Sequence, residues 1–320
     1  MTRPALTRPA HSPLRIGTRG SPVALAQAHE TRGRLAAAHP ALAEAGAIEI
    51  VVIKTTGDRI QDRTLAEAGG KGLFTKEIEE ALAEGAIDLA VHSMKDVPTW
   101  LPDGLEISCL LPRVDARDAW FSASGLGLDA LPAGAVVGTA SLRRAAQVLM
   151  RRPDLRVVPL RGNVGTRLAK LAAGEVAATL LALAGLIRLG LTDGVTAILD
   201  PGVMLPAVAQ GAIGIECRSR DENTRALLAP LGCRETAARV SAERALLAVL
   251  DGSCRTPIAA HAVADGVGGL LLEGLVLRPD GSESFLARRR GPVAAAAELG
   301  REVGLELKAV LPADVFLARS

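Results

Sequence analysis

Apolar and polar positions along this chain follow two alternating rhythms. Short runs rich in Val, Ile and Leu, at Leu14 to Thr18, Ile48 to Lys54, Ile87 to Val91, Val136 to Gly138, Leu155 to Leu160 and Ala177 to Leu183, have the length and β-branched content of buried strands. Between them lie Ala- and Leu-rich stretches that read as helices, and this alternation predicts an α/β fold. Past about residue 233 the rhythm changes. A helix is expected over Glu235 to Leu250, then strands around Ile258 to Val263, Leu270 to Leu277 and Ser284 to Ala287, and a closing helix from about Val293: a small α+β domain. No segment repeats at a period of roughly 20 to 50 residues, which removes solenoids and propellers.

One internal echo adds to this picture. Ile16-Gly17-Thr18-Arg19-Gly20-Ser21-Pro22 and Val137-Gly138-Thr139-Ala140-Ser141-Leu142 both read as strand, Gly-Thr turn, Ser cap and helix, so two similar α/β units are expected. Ser21 suits an N-cap and Pro22 the first helical position, where a missing amide hydrogen costs nothing. Each copy would aim a helix N-terminus, with free amides and the positive end of its dipole, at the carboxyl edge of a sheet, where α/β proteins hold anions.

Composition narrows the function classes. The 320 residues, 49% of them apolar, suffice for two or three domains with cores. The longest mostly apolar run, Val176 to Ile187, ends at Arg188, short of the roughly 18 residues a membrane-spanning helix needs. A net charge of +2 removes non-specific nucleic-acid binding as the default, and 2% aromatic content leaves no platform for base stacking. Met1 to Pro13 carries Arg3 and Arg8 but is broken by Pro4, Pro9 and Pro13 and lacks a secretory apolar stretch, so a frayed leader on a cytoplasmic protein is expected. Cys109, Cys217, Cys233 and Cys254 form no Cys-x-x-Cys pair and have no His at zinc spacing, so no metal is expected.

Charge is unevenly placed. From Thr139 to Arg188 nine basic residues (Arg143, Arg144, Arg151, Arg152, Arg156, Arg161, Arg167, Lys170, Arg188) face two acids (Asp154, Glu175), a surplus of +7 that leaves the rest of the chain at −5. Arg143 and Arg144 fall in the first turn of their expected helix, where the dipole disfavours cations by up to about 1 kcal/mol, so a negative partner is expected there. A solvated basic face is the bland alternative. The misplaced pair and the run Arg161-Gly162-Asn163-Val164-Gly165-Thr166-Arg167 favour a polyanion site, and arginine over lysine favours planar partners such as carboxylate or phosphate.

Three further segments bear chemistry. Gly69-Gly70-Lys71-Gly72 fails as a nucleotide loop, because Leu65 stands where the first Gly belongs and Gly72 where the Ser/Thr for magnesium belongs; Asp58 to Phe74 reads instead as a long loop able to cover a cleft. His92-Ser93-Met94-Lys95-Asp96-Val97-Pro98 puts an acid and a base at a strand end, although a surface turn and a satisfied structural histidine are the common readings of such a run. Cys254, on a loop beside Arg255, is either a nucleophile or a bystander.

Six blocks taken in order, Thr18-Arg19-Gly20-Ser21-Pro22, Gly69-Gly70-Lys71-Gly72-Leu73-Phe74, Val91 to Pro98, Ser141-Leu142-Arg143-Arg144, Leu160 to Arg167 and Ala209 to Glu216, closely resemble the hydroxymethylbilane synthase (porphobilinogen deaminase) family from about Leu14 into the C-terminal domain. The resemblance implies three domains, residues 1–111 plus 212–229, 112–211 and 230–320. The first two would resemble type II periplasmic-binding-protein lobes, and the third would bear a dipyrromethane cofactor joined by a thioether at Cys254. It implies stepwise condensation of four porphobilinogen molecules with loss of ammonia, by a cytoplasmic monomer that binds neither nucleic acid nor membrane.

By the same resemblance Asp96 is the catalytic carboxylate. Ser21, Lys95, Asp96, Ser141, Arg143, Arg144, Arg161, Gly162, Arg167 and Arg188 would contact the cofactor, and Arg19, Ser21, Lys71, Phe74, Arg161, Arg167 and Gln210 the substrate. Two departures from the family pattern are Glu67, where many bacterial relatives carry lysine, and Gly252-Ser253-Cys254, where Gly-Gly-Cys is common. The chemistry agrees with the charge reading, since each porphobilinogen brings two carboxylates and a growing chain is a polyanion. A non-catalytic anion-binding module of periplasmic type, which gives Cys254 and the third domain no role, and an arginine-based nucleic-acid binder, which lacks aromatics, are the rival readings.

Overall fold

A computed structural model describes residues 12–59, 72–251 and 256–316. In chain order its elements are β1 (Leu14–Thr18), α1 (Pro22–Ala38), β2 (Ile48–Val52), α2 (Thr56–Arg59), α3 (Lys76–Ala83), β3 (Leu89–Ser93), β4 (Leu105–Leu110), β5 (Asp118–Ser122), β6 (Val136–Gly138), α4 (Leu142–Arg151), β7 (Arg156–Val158), α5 (Val164–Ala172), β8 (Ala178–Ala182), α6 (Leu183–Leu189), β9 (Ala197–Ile198), β10 (Ile213–Arg218), α7 (Glu222–Leu228), α8 (Arg234–Val249), β11 (Ile258–Ala264), β12 (Gly269–Leu277), β13 (Ser284–Pro292) and α9 (Ala296–Val310). Contacts divide the described chain into two compact units, 12–59 with 72–113 and 212–237, and 114–211 with 238–251 and 256–316. The fold class is α/β, as the alternation predicts.

The first unit holds a sheet of order β2-β1-β3-β10-β4. Strands β1, β2 and β3 are parallel, and β10 runs antiparallel between β3 and β4. Leu14, Ile16, Leu89, Val91, Ile213 and Ile215 form its core with Ala28 and Leu35 of α1. The second unit repeats the plan as β7-β6-β8-β5-β9, with β6 parallel to β7 and β8 and with β5 antiparallel. β1 and β6 occupy the same place in their sheets, so the echoed turns, Gly-Thr-x-x-Ser at Gly17–Ser21 and Gly-Thr-x-Ser at Gly138–Ser141, are equivalent corners of two like folds. Sequence periodicity missed β4, β5, β9 and β10. Gly214 and Glu216 break the apolar run of β10, and β10 becomes a strand by pairing with β3 and β4, both more than a hundred residues upstream.

The second unit also carries an antiparallel sheet, β11-β12-β13, against which α9 packs. Helix α9 approaches α8 closely because it presents Gly300, where a Cβ would stand 2.1 Å from the Ala242 carbonyl oxygen. Ala146 of α4 packs with Leu205, Ala259, Leu275 and Leu277, joining this sheet to the core of the unit. Glu243 of α8, fully buried, accepts from the backbone N–H groups of Ala209 (2.6 Å) and Ala262 (2.8 Å). It thereby holds Ala209 in a left-handed conformation (φ 58°) just ahead of β10.

Candidate functional site

In the first unit three parallel strands end on one edge, and each delivers a charged side chain there: Arg19 after β1, Asp58 in α2 after β2, and Asp96 in a single 3₁₀ turn, Met94–Asp96, after β3. Arg19 is the hub. Its Nε and Nη2 donate to Asp58 Oδ1 at 3.1 and 2.5 Å, its Nη1 lies 3.5 Å from Asp96 Oδ2, and its guanidinium sits 4.0 Å from the centre of the Phe74 ring. Asp58 in turn accepts from the Thr55 hydroxyl at 2.8 Å. Burial alone would raise the Asp58 carboxyl, but Arg19 and the Thr55 bonds outweigh it and hold it below the usual carboxylate range.

Ser21 caps α1, accepting from the Ala24 N–H at 3.3 Å, and Lys95 shares the turn of Asp96. Beneath that turn His92 Nε2 lies 2.9 Å from Glu216 Oε2, both side chains buried, so His92 is a structurally paired residue. The sequence marks Asp58 only as the start of a loop and does not pair it with Arg19. Its signal is the Thr-Thr-Gly-Asp run shortly after β2, the neighbour of the strand that leads into Arg19.

In the second unit Ser141 caps α4, accepting from the Arg144 N–H at 3.4 Å, and Asn163 caps α5, so two helix N-termini follow the parallel strands β6 and β7. Arg143 and Arg144, each about 5% exposed, do not reach into solvent. Both turn onto Asp118, the first residue of β5: Arg143 Nη2 donates to Oδ2 and Arg144 Nη2 to Oδ1, each at 2.7 Å. Their Nη1 atoms donate to the carbonyls of Leu205 (2.7 Å) and Leu180 (3.0 Å). Gln210 Nε2 completes the group at 2.8 Å from Asp118 Oδ1. Part of the negative charge demanded by two cations at a helix start is therefore internal. Burial would raise Asp118, yet the two guanidinium groups hold it far below the ordinary range, while burial pulls Arg143 down.

One carboxylate does not balance the cluster. Arg167 is pulled down to about 10 by burial and by the like charges of Arg144 and Arg161. Nε of Arg143, Nε of Arg144 and Nη1 of Arg161 are buried without a hydrogen-bond partner among the described residues. Such a donor set suits a ligand carrying several carboxylates. Arg167 Nε donates to the Gly162 carbonyl (2.9 Å), and Arg188 Nη2 to the Gly211 carbonyl (3.2 Å). Lys71, Glu67 and Cys254 lie outside the described residues. Among those described, no group of three His, Cys, Asp or Glu side chains could hold a metal ion.

The family model for the porphobilinogen deaminase dipyromethane cofactor binding domain matches residues 14–226, and that for the porphobilinogen deaminase C-terminal domain matches 237–309. The chain belongs to the porphobilinogen deaminase family. It is 58% identical over 305 residues to the porphobilinogen deaminase of Paracoccus denitrificans, covering 95% of this chain and 96% of that one. It is 57% identical over 298 residues to the chloroplastic porphobilinogen deaminase of Oryza sativa subsp. japonica, covering 92% and 83%. A TRAP periplasmic solute binding protein from Desulfovibrio salexigens is a distant structural neighbour, with TM-score 0.41 at 11% identity over 71% of this chain and 74% of its own.

Proposed function

We propose that this protein is a hydroxymethylbilane synthase, a transferase of porphyrin biosynthesis that joins four porphobilinogen molecules head to tail with loss of one ammonia per porphobilinogen, one water then releasing the chain as linear hydroxymethylbilane. Family membership over nearly the whole chain supports the activity. The observation that carries the site is the arginine cluster of the second unit, in which three buried guanidinium nitrogens, on Arg143, Arg144 and Arg161, have no hydrogen-bond partner among the described residues.

A dipyrromethane, when bound, supplies the free pyrrole α-carbon from which the product is extended. In our reading Cys254 holds it through a thioether, and Arg143, Arg144, Arg161, Arg167 and Arg188 hold its acetate and propionate groups with Ser21, Lys95, Ser141 and Gly162. Arg19, Lys71, Phe74 and Gln210 serve the incoming substrate. Asp58 occupies the Nε and Nη2 arms of Arg19, which leaves Nη1 as the arm not bonded to it. Asp96, with a side chain 28% exposed, accepts the pyrrole N–H and stabilises cationic character as ammonia leaves. The three sheets support a division into three domains, 1–111 plus 212–229, 112–211 and 230–320. We further read the protein as a cytoplasmic monomer acting on a small molecule, without nucleic acid or membrane; no helix among the described residues is long and apolar enough to cross a membrane.

Replacing Asp96 by Asn should lower turnover about 10²–10⁴-fold while the circular dichroism stays unchanged; near-normal turnover removes Asp96 from the mechanism. The intact protein should exceed its sequence mass by one dipyrromethane, and Cys254→Ala should not. An unmodified mass in active enzyme contradicts the cofactor assignment.

A further inference from the structure

Arg143, Arg144 and Gln210 come from two separate stretches of the second unit, and all three donate to one carboxylate on a third, Asp118. The strand position explains how. Asp118 opens β5 opposite Ala182 of β8, its carbonyl accepts from the Leu199 N–H at 2.9 Å, and the residue, held in the sheet, is 0% exposed. Gln147, one turn along α4, closes a second ring: its Oε1 accepts from the Leu205 N–H at 2.7 Å, and its Nε2 donates to the Leu205 carbonyl at 3.1 Å. That same carbonyl accepts from Arg143. Asp118 is thus the common point through which the N-terminus of α4 and the stretch from Leu205 to Gln210 are held in register with the sheet.

The electrostatics point the same way. Two buried guanidinium groups less one carboxylate leave a residual +1, to which Arg161 and Arg167 add. Without Asp118 the repulsion already felt by Arg167 from Arg144 would lose its only buried counter-ion in this cluster among the described residues. Two fixed cations need a fixed anion if their remaining N–H groups are to keep one geometry for a ligand.

We propose that Asp118 is a positioning residue for the anion site: it touches no ligand, but it fixes the orientation of Arg144 and Gln210 and sets the residual charge that the arginines of this unit offer to carboxylates. This rests on the reading that these arginines receive carboxylates. Two variants test it in the full chain, Asp118→Asn, which removes the charge, and Asp118→Glu, which keeps the charge but displaces it by one methylene.

Each variant is measured for folding by circular dichroism, for covalent loading by intact mass, and for kcat and KM with porphobilinogen. Porphobilinogen binding is also titrated calorimetrically in a Cys254→Ala background, which reads the site without turnover. In folded Asp118→Glu, KM and the calorimetric dissociation constant should rise about tenfold or more, and the fraction of chains carrying the extra mass should fall. Asp118→Asn should do the same more severely. If Asp118→Asn does not fold, Asp118→Glu alone decides. Folded variants with KM, dissociation constant and loading within about twofold of the parent overturn the proposal and leave Asp118 a purely structural ion-pair partner. If the parent chain itself neither carries the extra mass nor consumes porphobilinogen, the functional reading fails instead.

Discussion

Asp58→Ala is the most informative single change in the first unit. Arg19 has two carboxylates within reach, and Asp58 holds it through two donors, at 3.1 and 2.5 Å, while Asp96 stands 3.5 Å from the third nitrogen. A hydrogen bond involving charged groups is worth about 1.5–3 kcal/mol. Arg19 and Asp58 are each 21% exposed, so water screens part of this, and about 2 kcal/mol is the expected hold of Asp58 on Arg19. Once Asp58 is gone, the guanidinium loses that restraint and should close on Asp96, whose oxygens would then accept from Arg19 in competition with the pyrrole N–H proposed for it. About 2 kcal/mol corresponds to roughly 30-fold in kcat/KM. The assay is the steady-state rate of bilane formation, read as porphyrin absorbance after acid oxidation, for Asp58→Ala, Arg19→Ala and the double variant. Competition between Arg19 and the substrate for Asp96 requires strong non-additivity, because each single change breaks the same pair. Additive losses, or a folded Asp58→Ala with kcat/KM within about twofold of the parent, would refute it.

Three further outcomes follow from the packing and the charges. Gly214→Ala would bring a Cβ to 2.0 Å from Met94 Sδ, so the turn carrying Lys95 and Asp96 must shift; kcat should fall about tenfold or more, with a smaller change in melting temperature, and unchanged kinetics would contradict the contact. Glu243→Leu orphans the buried N–H groups of Ala209 and Ala262 and should cost about 2–5 kcal/mol in urea unfolding. Asp118 titrates lower folded than its ordinary 3.8, so its contribution is complete above that value and is lost as pH falls below it. The parent should therefore lose stability steeply below about pH 4, and a folded Asp118→Asn variant should show a shallower acid limb in a pH series of melts.

Much of the architecture was legible from local pattern. The expected strand Leu14 to Thr18 is β1 itself, Val136 to Gly138 is β6, and the helix expected over Glu235 to Leu250 is α8 displaced by one residue at each end. Ser21 caps its helix as its spacing foretold. Such features depend on a few neighbouring residues, and neighbours in sequence remain neighbours in space. The arginine surplus was equally plain, since counting charges requires no coordinates.

The tertiary structure decided which of those charges are free. Counting charges put Arg143 and Arg144 in one class with Arg161 and Arg167, and only the folded chain shows that the first two, with Gln210, grip Asp118, while each of Arg143, Arg144 and Arg161 keeps one buried N–H without a partner among the described residues. It likewise brought Asp58 to Arg19 across 39 positions and paired β10 with β3 across more than a hundred. Composition and periodicity determine what a segment can become because they are sums over adjacent residues. The pairing of one carboxylate with one guanidinium depends on where two distant strand ends are carried, and the assembled sheet sets that distance.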